Sequence, residues 1–152
     1  MAMALMLHLL SAVVWVGGMF FAYVVLRPVA SRLLDAPVRL TLWSRVFSSF
    51  FPWVGFAIFT LLLTGYGMIF QIFGGMATTP IYVHVMQGLG LIMMLIFGHV
   101  FFVPTRRLRR AVETQDWETA GRQLGQIRML IGVNLSLGLG VIAIAGAGRM
   151  GM

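Results

Sequence analysis

Four long apolar stretches dominate this sequence and leave few folds open to it. They run over residues 2–26, 47–70, 81–103 and 127–148. Each can cross the hydrocarbon layer of a bilayer, which is about 30 Å thick and takes about 20 helical residues. A spanning segment must satisfy its own backbone hydrogen bonds, and none of these stretches alternates as a barrel strand does. The sequence therefore predicts an all-α fold, an integral membrane four-helix bundle in one domain over residues 1–152.

The composition also indicates that lipid covers part of the protein surface. Hydrophobic residues make up 60% of the chain and charged residues 10%, against about 45–50% and about 25% in soluble domains. The first stretch has no charged start and is too long for a signal peptide, so we expect it to stay as the first helix. The absence of Cys and Lys excludes disulfides, thiolate metal ligands and Schiff bases. No carboxylate lies within the four stretches, which argues against a proton relay and against hydrolytic chemistry.

Arginine predicts the orientation. Ten of the eleven basic residues, all Arg, fall in the first and third connections: Arg27, Arg32, Arg39, Arg45, Arg106, Arg107, Arg109, Arg110, Arg122 and Arg128. The positive-inside rule makes that side cytoplasmic, so both termini are predicted to be periplasmic in a bacterial inner membrane. The net charge of +7 then reflects topology and lipid headgroups, not nucleic acid. Short amphipathic surface helices are expected in both connections, from Asp35 to Arg45 and from Pro104 onward.

Three histidines are the candidates for chemistry, because ionisable residues inside a membrane are costly and mark functional sites. His8 in the first helix and His84 in the third are predicted at similar depth near the outer face. His99 lies fifteen residues beyond His84, about 22 Å along a helix, in the cytoplasmic half. His99 is expected to be structural, although a homodimer could bring two copies together as a second site.

The first expectation for a ligand is b-type haem. Small residues lie near both His8 and His84, and a flat macrocycle needs such room. Two imidazoles on facing helices are a normal ligand pair for haem iron. The predicted cofactor contacts are His8, Trp15, His84 and Gly88, in a protein of membrane electron transport or haem handling. The simpler alternative is that His8 or His84 hydrogen-bonds a carbonyl or a Thr and only joins two helices.

Methionine favours a second expectation, copper. Several of the twelve methionines cluster at the predicted outer end: Met1, Met3, Met6, Met76, Met86, Met150 and Met152. Thioethers and imidazole suit Cu(I), although methionine also fills apolar cores. The predicted metal ligands are His8, His84, Met6, Met76 and Met86, with His99 as a further candidate.

A third alternative is an accessory subunit without a cofactor in a larger membrane complex. Its contact surfaces would be the arginine-rich surface helix and a stripe of small residues in the fourth helix, Gly132, Ser136 and Gly140.

Three parts of the sequence resemble the small stand-alone members of the CopD (copper resistance protein D-like) family of bacterial membrane proteins. The first is the run HLLSAVVWVGGMFF from His8 to Phe21, followed by Leu26-Arg27-Pro28. The second is residues 104–121, with Arg106-Arg107-Leu108-Arg109-Arg110 and Asp116-Trp117. The third joins Ile127-Arg128 to Val133-Asn134-Leu135 and Gly138. This resemblance implies a copper function at the inner membrane.

The pattern of His8 and Trp15 is also similar to the HemJ-type haem-binding four-helix membrane proteins. That similarity implies that His8 is an axial haem ligand. Those proteins also depend on a Lys, and this chain has none, so the similarity implies haem binding without porphyrinogen oxidation.

Overall fold

The fold is all-helical, as predicted. The computed structural model describes residues 2–149, apart from the side chain of residue 149. Its helices are α1 (Ala2–Leu33), α2 (Ala36–Phe73), α3 (Ile81–Phe102), α4 (Pro104–Glu113) and α5 (Trp117–Arg149), with a 3₁₀ turn at Met76–Thr78. Within this range four helical segments are long and apolar enough to span a membrane: Ala2–Leu33, Ala36–Phe73, Ile81–Glu113 and Trp117–Gly148.

The outer surface of the spans is apolar. On α2, for example, Phe56 is 66% exposed, Phe59 is 64% exposed and Leu63 is 66% exposed. Contiguous apolar surface on this scale is unfavourable in water and favourable against lipid tails. The chain is therefore a multi-pass membrane protein.

The first helix is longer than predicted. It does not end at Arg27-Pro28 but continues to Leu33. The stretch Phe21–Leu26, just before the proline, is wound as a π-helix, in which the Arg27 N–H donates to the Ala22 carbonyl. A wider turn of this kind accommodates the missing N–H and the ring of proline, so a transmembrane helix can continue past it.

The first connection also differs from the prediction. No separate surface helix forms over residues 35–45, since these residues make up Asp35 and the first turns of α2. Leu40, Trp43 and Phe47 recur at helical spacing and are 2–3% exposed. They continue the buried stripe of α2, and the segment therefore packs into the core instead of lying on the membrane surface.

The second predicted surface helix is confirmed as α4. Leu108 and Ala111 are buried, while four arginines on the same helix are exposed. The apolar side of α4 packs against α5 and the start of α2. This places the arginines of both connections at one end of the bundle, called here the arginine-rich end.

Contacts between helices define the opposite end, called here the terminal end. His8 of α1 contacts Thr64 of α2, and Gln87 of α3 contacts Tyr66 of α2. The ring of Tyr82 lies against Gly148, near the end of α5. The starts of α1 and α3 therefore meet the ends of α2 and α5, as expected for four antiparallel spans.

In the central core, α1 and α3 are not among the closely packed helix pairs of the described residues. Each packs mainly against other helices, and both meet α5. Their side chains meet where the ring of Trp15 packs edge-on against Phe97, with centroids 6.3 Å apart. Gly132, one of the small residues of the predicted stripe, faces the ring of Tyr23 on α1. This part of the stripe serves packing within the chain.

Candidate functional site

The most specific polar contact inside the spans joins His8 to Thr64. The His8 Nδ1 lies 2.9 Å from the Thr64 Oγ1, and Thr64 is buried. The Thr64 hydroxyl donates its own proton to the Thr60 carbonyl at 2.6 Å. A hydroxyl has one proton to donate, so Thr64 must accept from His8, and Nδ1 must carry the hydrogen. In the neutral imidazole the Nε2 then bears a free lone pair.

A glycine beside Thr64 makes room for the ring. A Cβ added at Gly65 would lie 3.3 Å from the His8 Cε1, which is a tight contact. The backbone of α2 can therefore approach the imidazole at this position. Gly65 played no part in the sequence prediction, which proposed a threonine partner for a histidine without identifying it. A Thr-Gly pair at the depth of His8 on an antiparallel neighbour is the signal that could have identified them.

This contact is the hydrogen bond that the simpler alternative expects of His8. His8 does hydrogen-bond a threonine and joins α1 to α2. The contact uses one ring nitrogen, so it is compatible with a ligand on the other.

His84 occupies a different setting. It is half-buried one turn into α3, and its backbone N–H bonds to the Pro80 carbonyl. Leu91 and Leu95, which follow His84 at helical spacing on the same face of α3, are 43% and 75% exposed. That stripe of α3 therefore faces away from the bundle. Gln87, one turn beyond His84, donates from Nε2 to the Tyr66 Oη at 2.7 Å and ties α3 to α2.

The residues predicted to contact haem are not gathered on one surface. Trp15 is 3% exposed within the core. Gly88 is exposed, and a Cβ added there would meet no atom of the described residues within 4 Å. The His8 side chain is hydrogen-bonded to Thr64 of α2.

The methionines at the terminal end remain accessible. Met3, Met6 and Met76 are 70%, 52% and 37% exposed, and Met86 is half-buried. Met1, Met150 and Met152 lie outside the described residues. Within residues 2–149, no group of three or more His, Asp or Glu side chains is placed to hold a metal ion.

His99 lies apart from these residues. It is exposed in the last turn of α3, towards the arginine-rich end. Nothing in the described part of the chain connects it to His8 or His84.

Asn134 is a second unusual polar residue. It is 3% exposed in the middle of α5, and its Oδ1 has no hydrogen-bond partner within residues 2–149. It lines a cavity of about 30 Å³ together with Trp15, Met19 and several Phe rings. That volume is enough for about one water molecule.

These features define a class of protein, a multi-pass helical membrane protein with a histidine-centred polar cluster at one end of its bundle. The chain matches the family described as CopD, copper resistance protein D, over residues 44–147. The match covers more than half of the chain, so the protein belongs to the CopD family, as predicted. It includes Thr64, His84 and Asn134, but it begins after α1 and so does not include His8.

No curated protein and no solved structure matches the chain. The family description names copper and not haem. The haem centre and the similarity to HemJ-type proteins therefore stay predictions.

Proposed function

We propose that this protein binds copper as Cu(I) at the terminal end of its bundle, with the Nε2 of His8 as the first ligand. The observation that carries the proposal is the bond between His8 and Thr64. It holds the ring in one orientation and one tautomer, with Nε2 available. Histidines that bind metals almost always donate their other ring N–H in this way. Membership of a family described by copper resistance supports copper as the metal.

The remaining ligands are proposed among His84, Met6, Met76 and Met86. Imidazole and thioether are soft enough for Cu(I). Methionine side chains are flexible, so exposed ones near His8 can adapt to an ion. Met6 lies in the first turns of α1 and is half exposed.

We also propose that the site faces the periplasm of a bacterial inner membrane. Ten of the eleven arginines lie at the opposite end, which the positive-inside rule assigns to the cytoplasm. Cu(I) bound at His8 would then be exchanged with the periplasmic side, as the first step of storage or of movement across the membrane.

The experiment is a Cu(I) titration of anaerobically purified full-length protein against a chromogenic Cu(I) chelator. We expect about one Cu(I) per chain. His8→Ala should abolish this binding, and His84→Ala should weaken it. Thr64→Val should weaken it about 10–100-fold, as loss of an outer-shell partner does. His99→Ala is the matched control and should bind like the wild type.

Visible spectra of oxidised and dithionite-reduced protein separate the competing functions. A copper protein should show no Soret band. A Soret band that disappears in both His8→Ala and His84→Ala would instead establish b-type haem between α1 and α3 and a role in redox or haem handling. Neither metal nor haem, with a co-purifying partner, would establish the accessory subunit.

A further inference from the structure

A basic groove lies where α3 passes into α4. Phe102 and Val103 from the end of α3 and three arginines of α4, Arg106, Arg107 and Arg110, surround an open cavity of about 260 Å³. Arg106 is held in place, because its guanidinium carbon lies 5.1 Å from the centroid of the Phe102 ring. The groove is distinct from the proposed copper site, which lies at the other end of the bundle.

The charge in this groove is not balanced by the protein. The carboxylates of the same region pair elsewhere, Glu113 with Arg109 and Glu118 with Arg122. Within residues 2–149, no carboxylate lies within ion-pair distance of Arg106, Arg107 or Arg110. Three adjacent guanidinium groups repel one another, and an anion in the groove would offset that repulsion.

The position of the groove indicates which anion it meets. Phe102 is 59% exposed at the end of an apolar span, so it lies against lipid. The arginines follow within two turns, at the level where lipid headgroups begin. Arginine binds phosphate oxygens in a bidentate manner, and basic pockets between membrane helices bind anionic headgroups.

We infer that Arg106, Arg107 and Arg110, with Phe102, form a binding site for the phosphate of an anionic phospholipid. The acyl chains of that lipid run along the exposed apolar surface beside Phe102. A net negative headgroup is required, because the groove presents three positive charges and no described acceptor of opposite sign.

The test is native mass spectrometry of the detergent-solubilised full chain, titrated with dioleoylphosphatidylglycerol. We expect saturable binding that weakens as salt is raised. Dioleoylphosphatidylcholine, which carries the same phosphate without net charge, should bind much more weakly. The triple variant Arg106→Gln, Arg107→Gln, Arg110→Gln should bind phosphatidylglycerol about a hundredfold more weakly, since each arginine near anionic lipid contributes about 1 kcal/mol.

A second triple variant, Arg32→Gln, Arg45→Gln, Arg128→Gln, is the matched control. It loses the same charge from exposed arginines at the same end and should bind like the wild type. Equal loss in both triple variants would overturn the site, because net charge alone would then explain binding. Equal binding of both lipids by the wild type, or displacement by millimolar inorganic phosphate, would overturn the lipid assignment without requiring any variant to fold.

Discussion

Single residues decide whether a polar group in this bundle is structural or functional. His8 and Asn134 are both polar residues within apolar spans, but they differ in whether their side chains have a hydrogen-bond partner. His8 has a defined partner in Thr64. The Asn134 Oδ1, at 3% exposure, has none among the described residues. An unpaired buried polar group of this kind costs about 1–3 kcal/mol.

Replacement of Asn134 by Leu should therefore raise thermal stability. The change removes the unpaired amide and keeps the branched shape of the side chain, and the cavity beside Asn134 can take the added volume, so we expect a gain of about 1–3 kcal/mol. Thermal unfolding in detergent measures it, with Ser136→Ala on the exposed side of α5 as the control. A fall in stability would show that a bound water or ion satisfies Asn134 in the native protein.

Glycines 65 and 67 provide a matched pair on one helix. Gly65→Ala places a Cβ 3.3 Å from the His8 Cε1, whereas Gly67→Ala would meet no described atom within 4 Å. Alanine favours a helix over glycine by up to about 1 kcal/mol. Gly67→Ala should therefore raise the unfolding temperature, and Gly65→Ala should raise it less or lower it.

A second measurement separates packing from chemistry at Gly65. The Nδ1 proton of His8 should give an imidazole NMR signal that moves in Gly65→Ala and stays in place in Gly67→Ala. If both variants leave the signal unchanged, the imidazole is not held against α2.

At the scale of the element, the start of α5 depends on one carboxylate. The Thr119 N–H donates to the Asp116 Oδ1 at 3.0 Å, and Asp116 thereby caps the helix. This backbone hydrogen bond, then a hydrogen bond from the Thr119 side chain, and last the positive charge of Arg122 lower the pKa of Asp116 below its ordinary value. Because the folded-state pKa is lowered, the stabilisation is present above the ordinary carboxyl range and is lost as pH falls through the folded-state value.

Two variants test this cap. Asp116→Ala should lower the unfolding temperature at neutral pH by about 2–4 °C, the usual effect of a lost helix cap. Asp116→Asn keeps an oxygen that can accept from Thr119, so it should stay close to the wild type at neutral pH. It should also remove part of the acid sensitivity below about pH 4, where the ordinary carboxyl range ends. An unchanged acid profile in Asp116→Asn would show that Asp116 does not couple folding to protonation.

At the scale of the whole molecule, the two ends of the bundle differ in charge, and this difference predicts how the protein is oriented in the membrane. The starts of α1 and α3 and the ends of α2 and α5 lie together, and ten of the eleven arginines lie in the connections at the other end. An alkaline phosphatase fused after the last residue should be active if this end is periplasmic, as the positive-inside rule predicts. A green fluorescent protein at the same site should then be dark. The reverse pattern would invert the proposed access of copper.

Much of this architecture follows from the sequence because apolar length and arginine position act without reference to tertiary contacts. A stretch such as residues 81–103 must be helical in lipid whatever its neighbours are. The surface helix at Pro104 was equally predictable, since its arginines and its buried Leu108 alternate at helical spacing. The histidines were identified for a similar reason, because any ionisable group in a span is exceptional.

What each histidine contacts depends on how the helices are arranged around one another, and no periodicity encodes that. In the structure His8 bonds to Thr64 of α2, because α1 packs closely along α2 and meets α3 through core side chains such as Trp15 and Phe97. Likewise, residues 36–45 form the first turns of α2, because Leu40 and Trp43 are buried in the core there. Whether a segment favours lipid or water depends on its own residues, so it can be predicted from the sequence. Which helices become neighbours depends on the relative stability of competing packings, and only the tertiary structure shows which packing forms.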